Sequence, residues 1–337
     1  MPDLYQKVIA FVLLPILAMV ARGGDEPLTI YEIQSNTVNG DATAYQGQVV
    51  DCAGGIVVGK FAGTRPRVIL QDPAYPDGWG GIQIKDWTFG GLFDQVQIGD
   101  WISINNVLVE EFVGTTFLQW QTPYSPSFSI ISRNNALPEP IDVEPSDIPA
   151  PLPHPYDEWY VEDHDAELYE SMLLRVRCTG VTEWNLGKAV DNYNLSGLDG
   201  SDCWAADYMN RDQAPSGYHP SVHLGQYFCS MKGVFEQYTR MNDGWDYYQL
   251  VTMRTDNLVI QGDGDGDGDV DLDDWPTFTE CFTGPYCDHV PGGCDPPEWT
   301  WPPLGWSLEH CWMMDTDCDG DVDLADAAGF AQLIPSP

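Results

Sequence analysis

The chain is poor in positive charge. Its 337 residues hold 14 Lys and Arg against 52 Asp and Glu, a formal net charge of −38 at pH 7, and no Lys or Arg occurs beyond Arg254. That deficit excludes a broad cationic surface able to gather nucleic acid or anionic membrane by charge alone, so nucleic acid is an unlikely partner on this count. Long apolar runs are also scarce. The clearest, Val8 to Val20, is broken by Pro15 and is short for a membrane span. With Lys7 before it and Ala21-Arg22-Gly23 after it, it reads as an export signal over residues 1–23, leaving no membrane span once removed and a secreted or cell-surface destination. Paired Cys-x-x-Cys spacings are absent, which argues against zinc. No catalytic grouping stands out either. His219 and His223 have the spacing of a helical metal pair, but Pro220 and Val222 argue against a helix there. A binding or scaffolding protein is therefore expected, more than an enzyme.

What the chain has in excess is aspartate, and the aspartates are ordered. One twelve-residue pattern is written twice, Asp263 to Asp274 and Asp315 to Asp326. Positions one, three and five are carboxylates (Asp263, Asp265, Asp267; Asp315, Asp317, Asp319), as an oxygen shell around calcium requires. Position six is glycine (Gly268, Gly320), where the loop turns sharply. Position seven (Asp269, Asp321) offers its carbonyl, position nine (Asp271, Asp323) acts directly or through water, and position twelve (Asp274, Asp326) closes the shell. Apolar segments that can be helical follow each copy, Trp275 to Phe282 and Leu324 to Ile334. Two calcium ions are the expected cofactors, and the segment is expected to fold only with them bound. An acidic linker would not need two copies in register.

A pair of such loops, each leading into one helix, resembles a dockerin of type I, the EF-hand-like calcium-dependent docking module of secreted bacterial polysaccharide-degrading systems. The stretches ECFTGPYC and HCWMMDTDCDGDVDLADAAGF are similar to the tails of planctomycete-type secreted proteins. The resemblance covers residues 261–334. It implies a small α-helical domain and a cohesin-like or cell-surface protein partner.

Nine cysteines fit an oxidising compartment. Five of them, Cys281, Cys287, Cys294, Cys311 and Cys318, fall in the acidic tail; the preferred pairs are Cys281 with Cys311 and Cys287 with Cys294, with connectivity left open by the sequence. A bridge between two of Cys178, Cys203 and Cys229 is a further possibility.

Ahead of the tail the pattern is mainly β. Runs at 48–58, 67–71, 81–85, 100–112 and 115–120, with one short helix near 89–96, follow the order of an OB barrel across residues 28–131. A proline-dense stretch, 132–158, is an extended linker or a strap. Residues 159–260 then repeat the first unit. Tyr45 followed by QGQVVDCAGGIV corresponds to Tyr169 followed by ESMLLRVRCTGVT, one residue longer, and Ile98 to Phe112 aligns without gaps to Leu224 to Tyr238. The second set of strands is expected at 172–184, 188–195, 203–209, 226–238 and 246–253. Fold class is thus mainly β: two tandem five-stranded OB-like barrels and a small helical calcium domain. Both barrels resemble the OB modules attached to secreted bacterial nucleases, through YEIQ, LQDP and the Gly-Asp opening the fourth strand.

OB barrels hold polymers on their second and third strands. In the first unit Lys60, Arg65, Arg67 and Lys85, with Trp79 and Trp87, map to that region and form a weak candidate site for an extracellular polysaccharide. Glu110, Glu111 and Glu236 are placed late in a strand, facing solvent at a barrel rim. The alternative function is an accessory or degenerate member of a secreted nuclease or polysaccharide-hydrolase system.

Overall fold

The computed structural model describes residues 26–38, 42–63, 66–88, 91–153, 159–160, 164–184, 192–206, 208, 222–240, 245–253, 258–282 and 311–334. The export-signal segment 1–23, His219, Arg65, Cys287 and Cys294 lie outside these residues. No described helix is long and apolar enough to cross a membrane.

Five strands of the first unit close on themselves. They are β1 (Val49–Phe61), β2 (Arg67–Gln71), β3 (Gly81–Asp86), β4 (Trp101–Phe112) and β5 (Thr115–Trp120). Pairing runs β1-β2-β3-β5-β4 and returns from β4 to β1, with β3 and β5 parallel and every other pair antiparallel. This is the OB order. Closure needs β1 to bend across two partners, and its ladder slips at Val50/Cys52 and Cys52/Gly55 against β4 and at Val57/Gly59 against β2. Gly54 sits in the bend at φ +79°, where an added Cβ would lie 1.7 Å from the Ile102 carbonyl oxygen; only glycine fits. Val57, Val68, Leu70, Ile82, Ile104 and Leu118 fill the interior. Helix α1 (Ile30–Gln34), started by a Thr29/Glu32 capping box, adds Ile30 and Ile33 to that core. A sixth strand, β6 (Ser127–Ser132), lines the outer side of β4.

The expected helix near 89–96 is not formed among the described residues. Asp86 takes its place: one carboxylate oxygen accepts the Thr88 amide (2.9 Å) and the other accepts the amides of Leu92 (2.8 Å) and Phe93 (3.0 Å). A buried carboxylate collecting local amides offers the backbone an alternative to helical bonds.

The second unit has strands β7 (Leu173–Trp184), β8 (Asn192–Gly197), β9 (Asp202–Ala206), β10 (Tyr227–Arg240) and β11 (Trp245–Val251), with β12 (Leu258–Ile260) beside β10. The pairings are β7-β8, β8-β9, β9-β11 in parallel, β11-β10 and β10-β7. Strand for strand this repeats the first circuit. The shared entry to the fourth strand is visible in detail: Gly99 (φ +87°) donates to Val57 O at 2.9 Å and Gly225 (φ +83°) to Val181 O at 2.8 Å. A left-handed residue turns the chain into the strand in both units, which explains the aligned glycines.

The proline-dense stretch is a strap. Ile141–Asp142 runs parallel to β7, Ala150 donates to Asp202 O at 2.8 Å, and Asp142 pairs with Arg175 and Arg177. The two β units meet along a seam of Ile56, Val58, Phe61 and Ile69 from the first and Leu173, Val234, Val251 and Met253 from the second. In the tail, a 3₁₀ turn Leu272–Asp274 leads into α2 (Trp275–Cys281), and α3 (Leu324–Leu333) follows the second loop. Phe278, Cys281, Cys311, Met314, Val322 and Phe330 make a small core between them.

Candidate functional site

Each twelve-residue loop wraps around its own last aspartate. In the first, Asp274 Oδ1 accepts the amides of Gly264 (2.7 Å) and Asp265 (3.0 Å), and Oδ2 accepts that of Asp271 (2.7 Å). In the second, Asp326 Oδ1 accepts from Thr316 (2.6 Å) and Asp317 (3.2 Å), and Oδ2 from Asp323 (2.7 Å). Position one repeats too: Asp263 accepts the Gly268 amide (3.1 Å) and Asp315 the Gly320 amide (3.0 Å). Gly268 and Gly320 have φ of +99° and +97°, the turn that position six demands. Asp271 caps the 3₁₀ turn Leu272–Asp274 and Asp323 caps α3, accepting from Asp273 and Ala325, each at 2.6 Å.

These bonds aim carboxylates inward without supplying a positive partner. Ligand-type oxygens of Asp263, Asp265 and Asp274 lie within 4.8 Å of one another, as do those of Asp315, Asp317 and Asp326 and those of Asp321, Asp323 and Asp326. Asp274 and Asp326 are fully buried, and Asp263, Asp315 and Asp321 nearly so. Burial, reinforced by Asp326 and other neighbours, pushes the Asp315 carboxyl up to about 7; burial and Asp319 push Asp321 up to about 6. Asp263, Asp317 and Asp326 are raised mainly by burial, and Asp269 mainly by Asp267 beside it. Asp315 Oδ1 and Asp321 Oδ1 are buried with no hydrogen-bond donor. Orphaned buried carboxylate oxygens in an all-oxygen cluster are the donor set that suits a hard divalent cation. The residues present therefore fit the group the loop pattern implies.

Two disulfides anchor this region. Cys281 is bonded to Cys311, the pair preferred from the sequence, and Cys178 is bonded to Cys318. The second corrects the idea of a bridge within Cys178, Cys203 and Cys229: it ties strand β7 to position four of the second loop. Cys318 there has φ +59°, where the first loop has Gly266 at φ +77°. A cysteine at a position whose counterpart is a left-handed glycine was the signal available in the sequence. Docking continues around the bridge. Gln261 donates to Asp315 O (2.9 Å), Gly262 to Met313 O (2.7 Å), and the Arg177 guanidinium lies 3.5 Å from the Trp312 ring centre.

The described residues expected to form a polymer face on the first barrel do not share one open face. Arg67 is in the seam between the units, 2.6 Å from Glu236 Oε1. Lys85 is buried, its Nζ 3.6 Å from the Phe117 ring centre and 3.8 Å from that of Phe112. Lys60 donates to Val96 O (2.8 Å), the Trp87 indole N–H donates to Gln119, and the Trp79 backbone N–H donates to Leu168 O (2.6 Å). Arg67 and Trp79 thus contact the second unit, while Lys60, Lys85 and Trp87 are held by partners within the first. Glu236 is likewise no rim residue: it is buried, accepting from Arg67, Tyr208 and Gln249. Glu111 accepts the Thr43 amide (2.9 Å) and the Thr116 hydroxyl. Seam partners come from the other unit, so no local pattern reveals them.

The strand order defines the first unit as an OB-type barrel. No family model matches the chain, and no curated protein matches it. Among solved structures it is similar to an OB domain (residues 67–166) of MM0293 from Methanosarcina mazei, at 17% identity, 32% of this chain, 88% of that one and TM-score 0.23. A murine DNA-binding protein bound to double-stranded DNA shares 11% identity over 56% of this chain and 80% of that one, TM-score 0.25. A replication protein A heterotrimer bound to single-stranded DNA shares 10% over 67% and 68%, TM-score 0.20. Two of these structures hold bound DNA, and the expectation from net charge that nucleic acid is an unlikely partner is withdrawn. Net charge sums over the whole surface and does not describe one strand face. Scores this low carry no argument about what this chain itself binds.

Proposed function

We propose that this is an exported, non-catalytic modular protein whose tail is a dockerin-like domain holding two calcium ions, and whose second β unit is a second OB-like barrel. The observation that carries the reading is the shared set of bonds to the last aspartate of each loop, with Asp315 Oδ1 and Asp321 Oδ1 of the second loop buried and lacking donors. One ion would be held by Asp263, Asp265, Asp267, Asp271 and Asp274 with the Asp269 carbonyl. The other would be held by Asp315, Asp317, Asp319, Asp323 and Asp326 with the Asp321 carbonyl. Calcium would supply the positive charge that lets these carboxylates sit together, and so the fold of the tail. The two disulfides support an oxidising destination.

On this reading the tail attaches the protein to a cohesin-like or other surface protein, and the fused β pair is the cargo it presents to an extracellular polymer such as a polysaccharide. Retention of the full chain on an immobilised cohesin domain and on insoluble polysaccharide, in calcium and in chelator, tests it. Calcium-dependent retention on the protein support is expected; equal retention in chelator, or none in either condition, overturns the docking role.

A further inference from the structure

Three cysteines line one cavity of about 430 Å³, where the second loop meets the second β unit: Cys178 and Cys318, which are bonded, and Cys229, a buried thiol. Asp315 and Gly320 of the calcium loop share its wall. The register of β7 and β10 explains the grouping. Arg177 is opposite Ser230 and Thr179 is opposite Phe228, which places Cys178 and Cys229 at matching positions between these two pairs. Both side chains border the same cavity as Cys318, within reach of the bridge. The ladder is loosened at this point on both sides. Cys178 has φ +52°, and the pairing of β10 with β12 slips between Phe228 and Ser230.

We propose that Cys229 is a resident exchange thiol for the Cys178–Cys318 bridge. As its thiolate, Cys229 attacks Cys178 Sγ; the Cys178–Cys318 bond breaks as the Cys178–Cys229 bond forms. Cys318 leaves as a thiolate and takes up one proton for the one Cys229 gave up. One disulfide is consumed and one is made, so no oxidant or reductant is required. The result is a cross-strand bridge inside the β unit and a calcium loop no longer tied to it. Two features favour the transfer. Cys318 holds a left-handed backbone that a non-glycine residue adopts at a cost, and leaving the bridge lets it relax. The carboxylates of the loop repel one another, which favours release when no cation neutralises them. A cation in the loop opposes the transfer by holding Cys318 in place. That last consequence rests on the proposed calcium reading; the exchange itself does not. The other two buried thiols, Cys52 and Cys203, do not line the cavity.

The test uses the full chain, incubated in chelator with a trace of reduced glutathione, quenched by acid, alkylated and mapped as unreduced peptides by mass spectrometry. Peptides joined through Cys178–Cys229, with Cys318 alkylated, are expected beside the original linkage. Persistence of Cys178–Cys318 alone over a day, with Cys229 always the alkylated residue, overturns the proposal. Cys318→Ser, refolded with oxidised glutathione, is expected to carry the Cys178–Cys229 bridge in most molecules; both thiols alkylated in that variant would overturn it as well. Calcium added to the wild type is expected to lower the exchanged fraction at least fivefold. Exchange that ignores calcium would sink the coupling to the metal reading while leaving the exchange standing.

Discussion

Two places in this molecule bury charge, and they resolve it in opposite ways. In the seam between the β units, Glu236 is surrounded by donors: the Arg67 guanidinium, the Tyr208 hydroxyl and the Gln249 amide. Glu170, fully enclosed, accepts the Gln34 side-chain amide (2.8 Å) and the Thr116 backbone amide (3.1 Å). Burial, with Glu167 and Glu111 nearby, pushes its carboxyl well above the usual range. In the tail loops, carboxylates gather around one another and two of their oxygens face no donor. Both of these seam carboxylates have donors as folded. The tail sequence beyond Arg254 has no Lys or Arg to offer these loops.

The contrast can be broken at either end. Arg67→Ala leaves Glu236 buried without its cation and is expected to lower the stability of the β pair by about 3–5 kcal/mol, the same in calcium and in chelator, as read by urea unfolding. Asp326→Ala removes the acceptor of three loop amides and is expected to cost the tail about 2–4 kcal/mol, seen as lost amide-exchange protection in α3 with the β strands unchanged. Asp315→Asn should change sign with the metal: it should stabilise the tail in chelator by about 1 kcal/mol through relief of repulsion, and weaken calcium binding at the second loop at least tenfold.

Acidity separates the two places further. Asp315, raised to about 7, and Asp321, raised to about 6, bind protons more tightly folded than unfolded. Their contribution is present at pH 4 and is lost as pH rises through 6 and 7. In chelator the tail should therefore melt higher at pH 5 than at pH 8, and calcium affinity should rise over the same interval, as read by circular dichroism and metal titration. Glu170 is raised too, so the seam loses stability toward alkaline pH for the same reason. Glu170→Gln should flatten that dependence with no effect on the tail, the smallest of these effects.

What the sequence showed of this depended on how local each feature is. The paired loops were legible because each is closed within one short run, and the positions of Gly268 and Gly320 follow from a turn only glycine makes easily. The shared entry to the fourth strand was legible through Gly99 and Gly225, whose left-handed backbones start that strand in each unit. The helix expected near 89–96 failed because Asp86 collects the amides that would have begun it, a competition set by one side chain. Arg67, Lys85 and Glu236 were assigned to open faces because strand alternation shows which face a side chain takes and not what covers that face. The Cys178–Cys318 bridge joins residues 140 apart in sequence, and no spacing rule spans such a distance.

The central claim is that the tail needs divalent cations and the β pair does not. Calorimetric titration of chelator-treated full-length protein with calcium, at pH 7.5, tests it most directly. The account predicts binding that saturates at two ions per chain, accompanied by a gain of helical signal and of amide protection confined to residues 261–334. Absence of calcium uptake, with the tail protected equally in chelator, would contradict it.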